Sequence, residues 1–234
     1  AFKAAPLLLS VETLHGSGSR IRAVVVNSGN ANCATGEDGI ADARRVCEAA
    51  AGELGIEPSL VHSSSTGIIG KRLDVAKITG AVTRLIAAAG TSEAHLKDFS
   101  AAIMTTDTFE KIVSRQVTIG GRTVTVCGVA KGAGMIQPDL NHATMLSYIM
   151  TDAAVAAPLW RKMTGRCVER SFNTITIDGC TSTNDSVFFL ASGKSGVAID
   201  AEDDRYAAFS QALTAVAEEL SALIVKDGEG ATKT

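Results

Sequence analysis

At 234 residues against a rough domain size of ~150, the chain amounts to one or two domains and can bury a substantial core without disulfide staples. With 22 Lys+Arg against 25 Asp+Glu, the net charge of −3 leaves no sequence-wide basic field, which argues against a nucleic-acid coat. Hydrophobic residues reach 46% but aromatics only 4%, so Ala, Val, Leu and Ile carry the core, as suits a tightly packed α/β protein.

The opening AFKAAPLLLS has one Lys and an apolar stretch too short for a secretory signal, and it lacks an initiating Met. No apolar run approaches the ~18 residues needed to cross a bilayer. The expectation is a soluble chain whose start has been processed or cut. Residues 22–27 (RAVVVN) form a β-branched run that stops at the Gly- and Asn-rich loop of residues 28–36. After Asp38, apolar positions Ile40, Ala43, Cys47, Ala50 and Leu54 recur every three or four residues until Gly55, the pattern of an amphipathic helix. Residues 60–64 read as a short strand running into SSTGIIG. Residues 75–89 read as the next helix, with Ile78, Val82, Leu85 and Ile86 on one side.

The middle turns β-rich. IVSRQVTI and RTVTVCGV flank Gly120-Gly121, a two-residue hairpin signal. A strand is expected over 144–152, a helix from Pro158 to about Arg170, and strands at TITID (174–178) and SVFFLAS (186–192). A final helix over about 204–226 aligns Phe209, Leu213, Val216, Leu220 and Ile224. No repeat, low-complexity tract or linker interrupts the pattern. The expectation is one α/β unit, a mixed sheet layered with helices and including antiparallel strands.

The five cysteines are scattered, without a C-x-x-C pair, which points to free thiols and a reducing compartment. The four histidines are equally dispersed, so no metal site is expected. Polar loops follow strand-like runs at SGNANCATG, SSTGIIG, MTTDTFEK and KGAGM, as site loops on α/β scaffolds do. Taken singly, each is equally ordinary turn chemistry. None matches a phosphate-cradling motif. His142 alone among the histidines sits in a loop beside a nucleophile candidate, and a turn residue explains it as well. Thr144 after Ala143 opens an apolar strand, which a β-former would do without further purpose.

The company these segments keep decides more. NSGNAN, STGIIG, IMTTDTF, KGAGMI, ATML, SFNTITIDG, TSTND and DGEGATK occur in order, almost end to end. In these motifs the chain resembles the ornithine acetyltransferase family, the bifunctional glutamate N-acetyltransferases of arginine biosynthesis. The resemblance implies that family's self-cleaving, N-terminal-nucleophile fold. It implies a precursor cut between Ala143 and Thr144 into parts 1–143 and 144–234, a heterodimer that assembles into a higher oligomer. Thr144 would be the nucleophile, taking acetyl from N-acetylornithine and passing it to glutamate. The freed α-amine, with a reference pKa of ~7.7–8.0, lies on the same residue and can act as base. Thr66 and Gly67 would form the oxyanion hole. Thr105, Lys131, Thr144 and Glu229 would bind substrate, an ammonium suiting an α-carboxylate and a carboxylate an amino group.

No cofactor is implied, with acetyl-CoA as an alternative acetyl donor. Neither nucleic acid nor membrane is an expected partner, and the location expected is the cytoplasm, or the mitochondrial matrix in a eukaryote. The chain departs from the family in the D-L-N-H stretch before Ala143, longer by about two residues, in Glu110 where Pro is usual, and in Cys180 where an acidic residue is common. Family members also continue before Ala1 and well past Thr234, where an Asn and a Ser or Thr complete the substrate site. Two other readings stay open on the residues: an amidohydrolase or aminopeptidase in which water takes the acyl group, and an inactive piece that only associates with other subunits.

Overall fold

The computed structural model describes residues 3–137 and 145–232. No linker marks it in the sequence, but the chain packs as two compact units. The first takes in the described residues up to Thr105 together with Thr183–Asp185, and the second takes in the rest.

In the first unit the elements are α1 (Ala5–Ser17), β1 (Ala23–Asn27), α2 (Gly36–Leu54), β2 (Val61–Ser65), α3 (Val75–Thr79), α4 (Val82–Ala88) and α5 (Glu93–Ile103). Strands β1 and β2 pair in parallel, from Ala23 opposite Val61 to Asn27 opposite Ser65, with α2 as the crossover between them. Helix α2 forms where the three- and four-residue spacing predicts, burying Ala43, Val46, Cys47, Ala50 and Ala51. Gly55 ends it in the left-handed conformation, φ 64°, donating its N–H back to the Ala51 and Gly52 carbonyls.

Three features of this unit depart from the sequence reading. Helix α1 forms with a Pro in its first turn and Gly18 as a left-handed cap. Its apolar residues point to several sides, Leu9 inward and Leu8 out, so no single stripe marks it. The helix expected over 75–89 is two, α3 and α4. At the break the Ala81 N–H reaches only to the Ile78 carbonyl, a tightened turn beside Gly80, whose backbone freedom costs a helix interior ~1 kcal/mol. Helix α5 forms where the sequence reading places no element, and Ser92 caps it by accepting the His95 N–H.

His62, in β2, is buried, and that burial pushes its imidazole down to about 4. A histidine that stays neutral in the fold but titrates normally when unfolded stabilises fully above pH ~6.5, and that contribution is lost as the pH falls toward the lowered value. Wild-type stability is therefore expected to fall by about 2 kcal/mol between pH 7 and pH 5 on this account. Urea unfolding at the two pH values, compared with a His62→Leu chain, checks this; equal slopes in both chains would refute it.

The second unit contains β3 (Lys111–Ile119), β4 (Arg122–Lys131), β5 (Leu146–Thr151), β6 (Ala154–Val155), α6 (Ala157–Arg170), β7 (Ser186–Ala191), β8 (Ala198–Ile199) and α7 (Asp204–Lys226). Its four-stranded sheet runs β3-β4-β5-β7, with β3, β4 and β5 antiparallel and β7 parallel to β5. The β3–β4 hairpin turns at Gly120 and Gly121, φ 58° and 77°, the pair of positive φ values that the sequence signals. A second, two-stranded pairing joins β6 to β8.

Helix α7 buries the predicted stripe of Phe209, Leu213, Val216, Leu220 and Ile224 and packs against β3, β4 and α6. By length and composition α7 is apolar enough to cross a membrane, but in this fold its apolar stripe is core. It lies so close to β4 that a Cβ on Gly128 would stand 2.6 Å from Leu220 Cδ1. Residues 174–178, expected to be a strand, are not one. Instead Ile177 N–H donates to the Ile136 carbonyl at 2.7 Å and Thr176 hydroxyl donates to the same oxygen, so the segment braces a loop rather than joining the sheet.

Candidate active site

In the first unit, the loops leaving the carboxyl ends of β1 and β2 are built by asparagine side chains. Asn27 amide donates to the Asn30 carbonyl and accepts from the Ser65 hydroxyl, so one residue ties both strand ends. Asn30 amide holds the Lys71 and Arg72 carbonyls, and its oxygen takes the Asn32 N–H. Asn184, from the TSTND segment, donates to Ala31 and Ser65 carbonyls at 2.6 and 2.9 Å and is itself buried. The sequence reading gave these amides no role, although NSGNAN and TSTND contain them.

Thr66 follows β2 directly and is buried. Its backbone N–H donates to the Asn27 carbonyl at 3.0 Å. Gly67 sits at φ 131°, and a Cβ there would fall 2.3 Å from Gly29 C and 2.5 Å from Asn30 N. Only glycine lets the two loops approach this closely. Thr105 lies beyond the end of α5 and is exposed.

In the second unit a buried group of charges underlies the candidate binding residues. Lys131 ends β4 with only 3% of its surface exposed, and Leu146 stands opposite it in the ladder. Asp107 accepts from the Lys111 ammonium at 2.7 Å and from the Gly132 N–H at 2.6 Å, and its other oxygen lies 3.8 Å from Lys131 Nζ. Lys111 also donates to Asp227 at 2.5 Å, and Asp227 accepts the backbone N–H and hydroxyl of Thr108. Glu229, two residues past Asp227 and exposed, donates its N–H to the Ala133 carbonyl at 2.7 Å. A Cβ on Gly134 would meet its carboxyl at 2.7 Å. The structure thus brings the loops of Lys131 and Glu229 together. Asp178 secures the same stretch by accepting the N–H groups of Met135 and Ile136.

Burial works to raise the carboxyls of Asp107 and Asp227, but hydrogen bonds from Lys111 and Gly132 with the nearby Lys131 charge for the first, and hydrogen bonds from Lys111 and Thr108 for the second, hold both below the ordinary range. Both are ionised at neutral pH. The stability they contribute is present above pH ~3.9 and is lost as the pH falls through their lowered values. None of Asp107, Lys111 and Asp227 was singled out from sequence. The signal available was the Asp-x-x-x-Lys spacing within MTTDTFEK and the Asp that opens DGEGATK.

Ala143, Thr144 and His142 lie outside the described residues. Met145 and Leu146 immediately after them are fully buried, at the start of β5 in the interior of the sheet. All five cysteines are free thiols, and burial pushes Cys47 up to about 11 and Cys167 up to about 12, which makes both poor nucleophiles. Among the described residues no cluster of His, Cys, Asp or Glu could hold a metal ion.

The sequence model described as the ArgJ family matches residues 1–234. The chain belongs to the ArgJ family. It is 46% identical over 232 residues to the arginine biosynthesis bifunctional protein ArgJ of Nitratidesulfovibrio vulgaris, covering 99% of this chain and 57% of that protein. It is 45% identical to the mitochondrial ArgJ of Schizosaccharomyces japonicus, over 100% of this chain and 54% of that one. The chain therefore spans little more than half the length of the curated ArgJ relatives it matches. The crystal structure of ArgJ from Bacillus halodurans aligns with a TM-score of 0.55 at 37% identity, over 59% of this chain and 71% of the other. That of ornithine acetyltransferase from Mycobacterium tuberculosis, in complex with ornithine, aligns at 0.50 and 35% identity, over 59% and 72%. The mixed α/β architecture of this ArgJ-family chain is thus that of ornithine acetyltransferase structures.

Proposed function

We propose that this chain is the greater part of the catalytic body of an arginine-biosynthetic acetyltransferase, which moves acetyl from N2-acetylornithine to glutamate through an acetyl-Thr144 intermediate. The carrying observation is family membership along residues 1–234, with the nucleophile, oxyanion and binding motifs all present in order. That a similar protein binds ornithine in its crystal supports the substrate class.

In the proposed mechanism Thr144 hydroxyl first attacks the Ala143 carbonyl. The peptide nitrogen departs as the α-amine of Thr144, and water hydrolyses the resulting ester, leaving Ala143 with a free carboxylate. The freed amine then takes the hydroxyl proton as Thr144 attacks the acetyl carbonyl of N-acetylornithine. Ornithine leaves with a proton on its amine, and the amine of glutamate attacks the acetyl-Thr144 ester, regenerating the hydroxyl. Thr66 hydroxyl and the Gly67 backbone donate to the oxyanion of each tetrahedral intermediate. Lys131 takes the substrate α-carboxylate and Glu229 an amino group, with Thr105 as a further polar contact. No cofactor is required by these steps, and acetyl-CoA is an alternative donor. The two cleavage products are proposed to stay together as a heterodimer within a higher oligomer.

The test is transfer of labelled acetyl from N-acetylornithine to glutamate by the full-length protein, with Thr66→Ala beside the wild type. Acetylglutamate is the expected product, and the variant should cleave itself and transfer acetyl on the order of 10²–10³ more slowly. Free acetate as the sole product would replace the transferase reading with a hydrolase. Wild-type rates in the variant would leave Thr66 with a loop-building role only.

A further inference from the structure

We propose that Asn184 is a positioning residue for the acyl-transfer step, clamping the peptide unit between Ser65 and Thr66 so that Thr66 is held in place to donate to the oxyanion. This rests on the acetyltransferase reading, with Thr66 as an oxyanion donor, and deepens it. Asn184 belongs to the first unit, as do the loops it ties, although it stands 153 residues along the chain from Ala31 and 119 from Ser65. Only 4% of its surface is exposed. Its amide nitrogen donates to the Ala31 carbonyl at 2.6 Å and to the Ser65 carbonyl at 2.9 Å, while its oxygen accepts the Thr183 hydroxyl at 2.8 Å. Backbone carbonyls can only accept, so the amide has one workable orientation, with its nitrogen toward the two loops.

The Ser65–Thr66 peptide is thereby gripped from both sides. Asn184 holds its C=O, and the Asn27 carbonyl accepts its N–H at 3.0 Å. A peptide unit is planar, so fixing its two polar atoms fixes the plane and with it the direction in which the Thr66 Cα departs. A donor that meets charge developing in the transition state is effective when it is fixed before the reaction. Gly67 is held separately: the Ile68 N–H donates to the Gly29 carbonyl at 3.3 Å, and Gly67 lies tight against the backbone of Gly29 and Asn30. Asn184 therefore bears on Thr66 more than on Gly67. Because the oxyanion exists only in the tetrahedral intermediates and the transition states around them, loss of the clamp shows in kcat and not in KM. A role confined to holding the fold would instead lower the melting temperature and leave kcat of the folded fraction as it was.

The experiment measures kcat and KM for N-acetylornithine on the folded, cleaved fraction of the full-length protein, together with thermal unfolding. It compares wild type, Thr66→Ala, and Asn184→Ala and Asn184→Ser, each of the last two alone and combined with Thr66→Ala. Asn184→Ala opens room for a water that can donate to both carbonyls, so it is expected to fold with a lowered melting temperature. Asn184→Ser keeps one donor and carries the same comparison if the alanine variant does not fold. Asn184→Ala is expected to lower kcat about ten- to a hundred-fold with KM within about two-fold of wild type. In the Thr66→Ala background the same change should cost less than about three-fold, since the group it places is already gone. An equal loss in both backgrounds, or a wild-type kcat in the Asn184 variants, overturns the proposal and leaves Thr66 as an oxyanion donor untouched. A wild-type kcat in Thr66→Ala would instead remove Thr66 from the oxyanion site and with it the basis of this inference.

Discussion

Thr144→Ala is expected to leave the full-length protein as one uncut chain with no detectable acetyl transfer. In the proposed mechanism one hydroxyl serves both reactions, attacking the Ala143 carbonyl once and an acetyl carbonyl at every turnover, and alanine has nothing to replace it. The freed α-amine cannot substitute, since in the uncut chain it is still an amide. Losses of about 10⁴–10⁶ are typical when an acyl-transfer nucleophile is removed and the rest of the site remains. Intact mass separates an uncut chain from two fragments, and the transfer assay runs on the same sample. Thr144→Ser, which keeps a hydroxyl on the same carbon, should retain cleavage at a reduced rate. Cleavage persisting in Thr144→Ala would place the nucleophile elsewhere and end the assignment.

Gly67→Ala is expected to be nearly as damaging for a different reason. The added methyl would overlap Gly29 C at 2.3 Å and Asn30 N at 2.5 Å, and both are backbone atoms that no rotamer change can move. The φ of 131° is also strained for any residue with a Cβ. Strain of about 1–3 kcal/mol and overpacking of similar size together come to about 3 kcal/mol or more. Relief requires the STGIIG and NSGNAN loops to separate, and displacement of a catalytic group by ~1 Å costs on the order of 10² in rate. Gly70→Ala is the matched control. Gly70 also has positive φ, 82°, but open space around its missing Cβ, so only the milder conformational cost, about 1 kcal/mol, applies. Denaturant unfolding and transfer rates should rank wild type, Gly70→Ala, then Gly67→Ala; equal effects in the two variants would show that the close approach does not matter.

Local pattern alone determined a good part of this protein. The Gly120-Gly121 turn, the three- and four-residue spacing in α2 and the stripe from Phe209 to Ile224 each state their conformation within a few residues, because turn geometry and helical period are local properties. The ordered motifs carried the family. Tertiary structure alone decided the rest. TITID has the composition of a strand, yet the Ile177 N–H and the Thr176 hydroxyl both donate to the Ile136 carbonyl of a loop, and the segment pairs with no strand of the sheet. Apolar spacing tells which residues will be buried, but it does not name what they are buried against. That is why Gly67 reads as ordinary turn chemistry until Gly29 is found beside it. It is also why Lys111, 116 residues from Asp227 in the chain, reads as one more solvated charge until the fold removes its water and supplies two carboxylates instead.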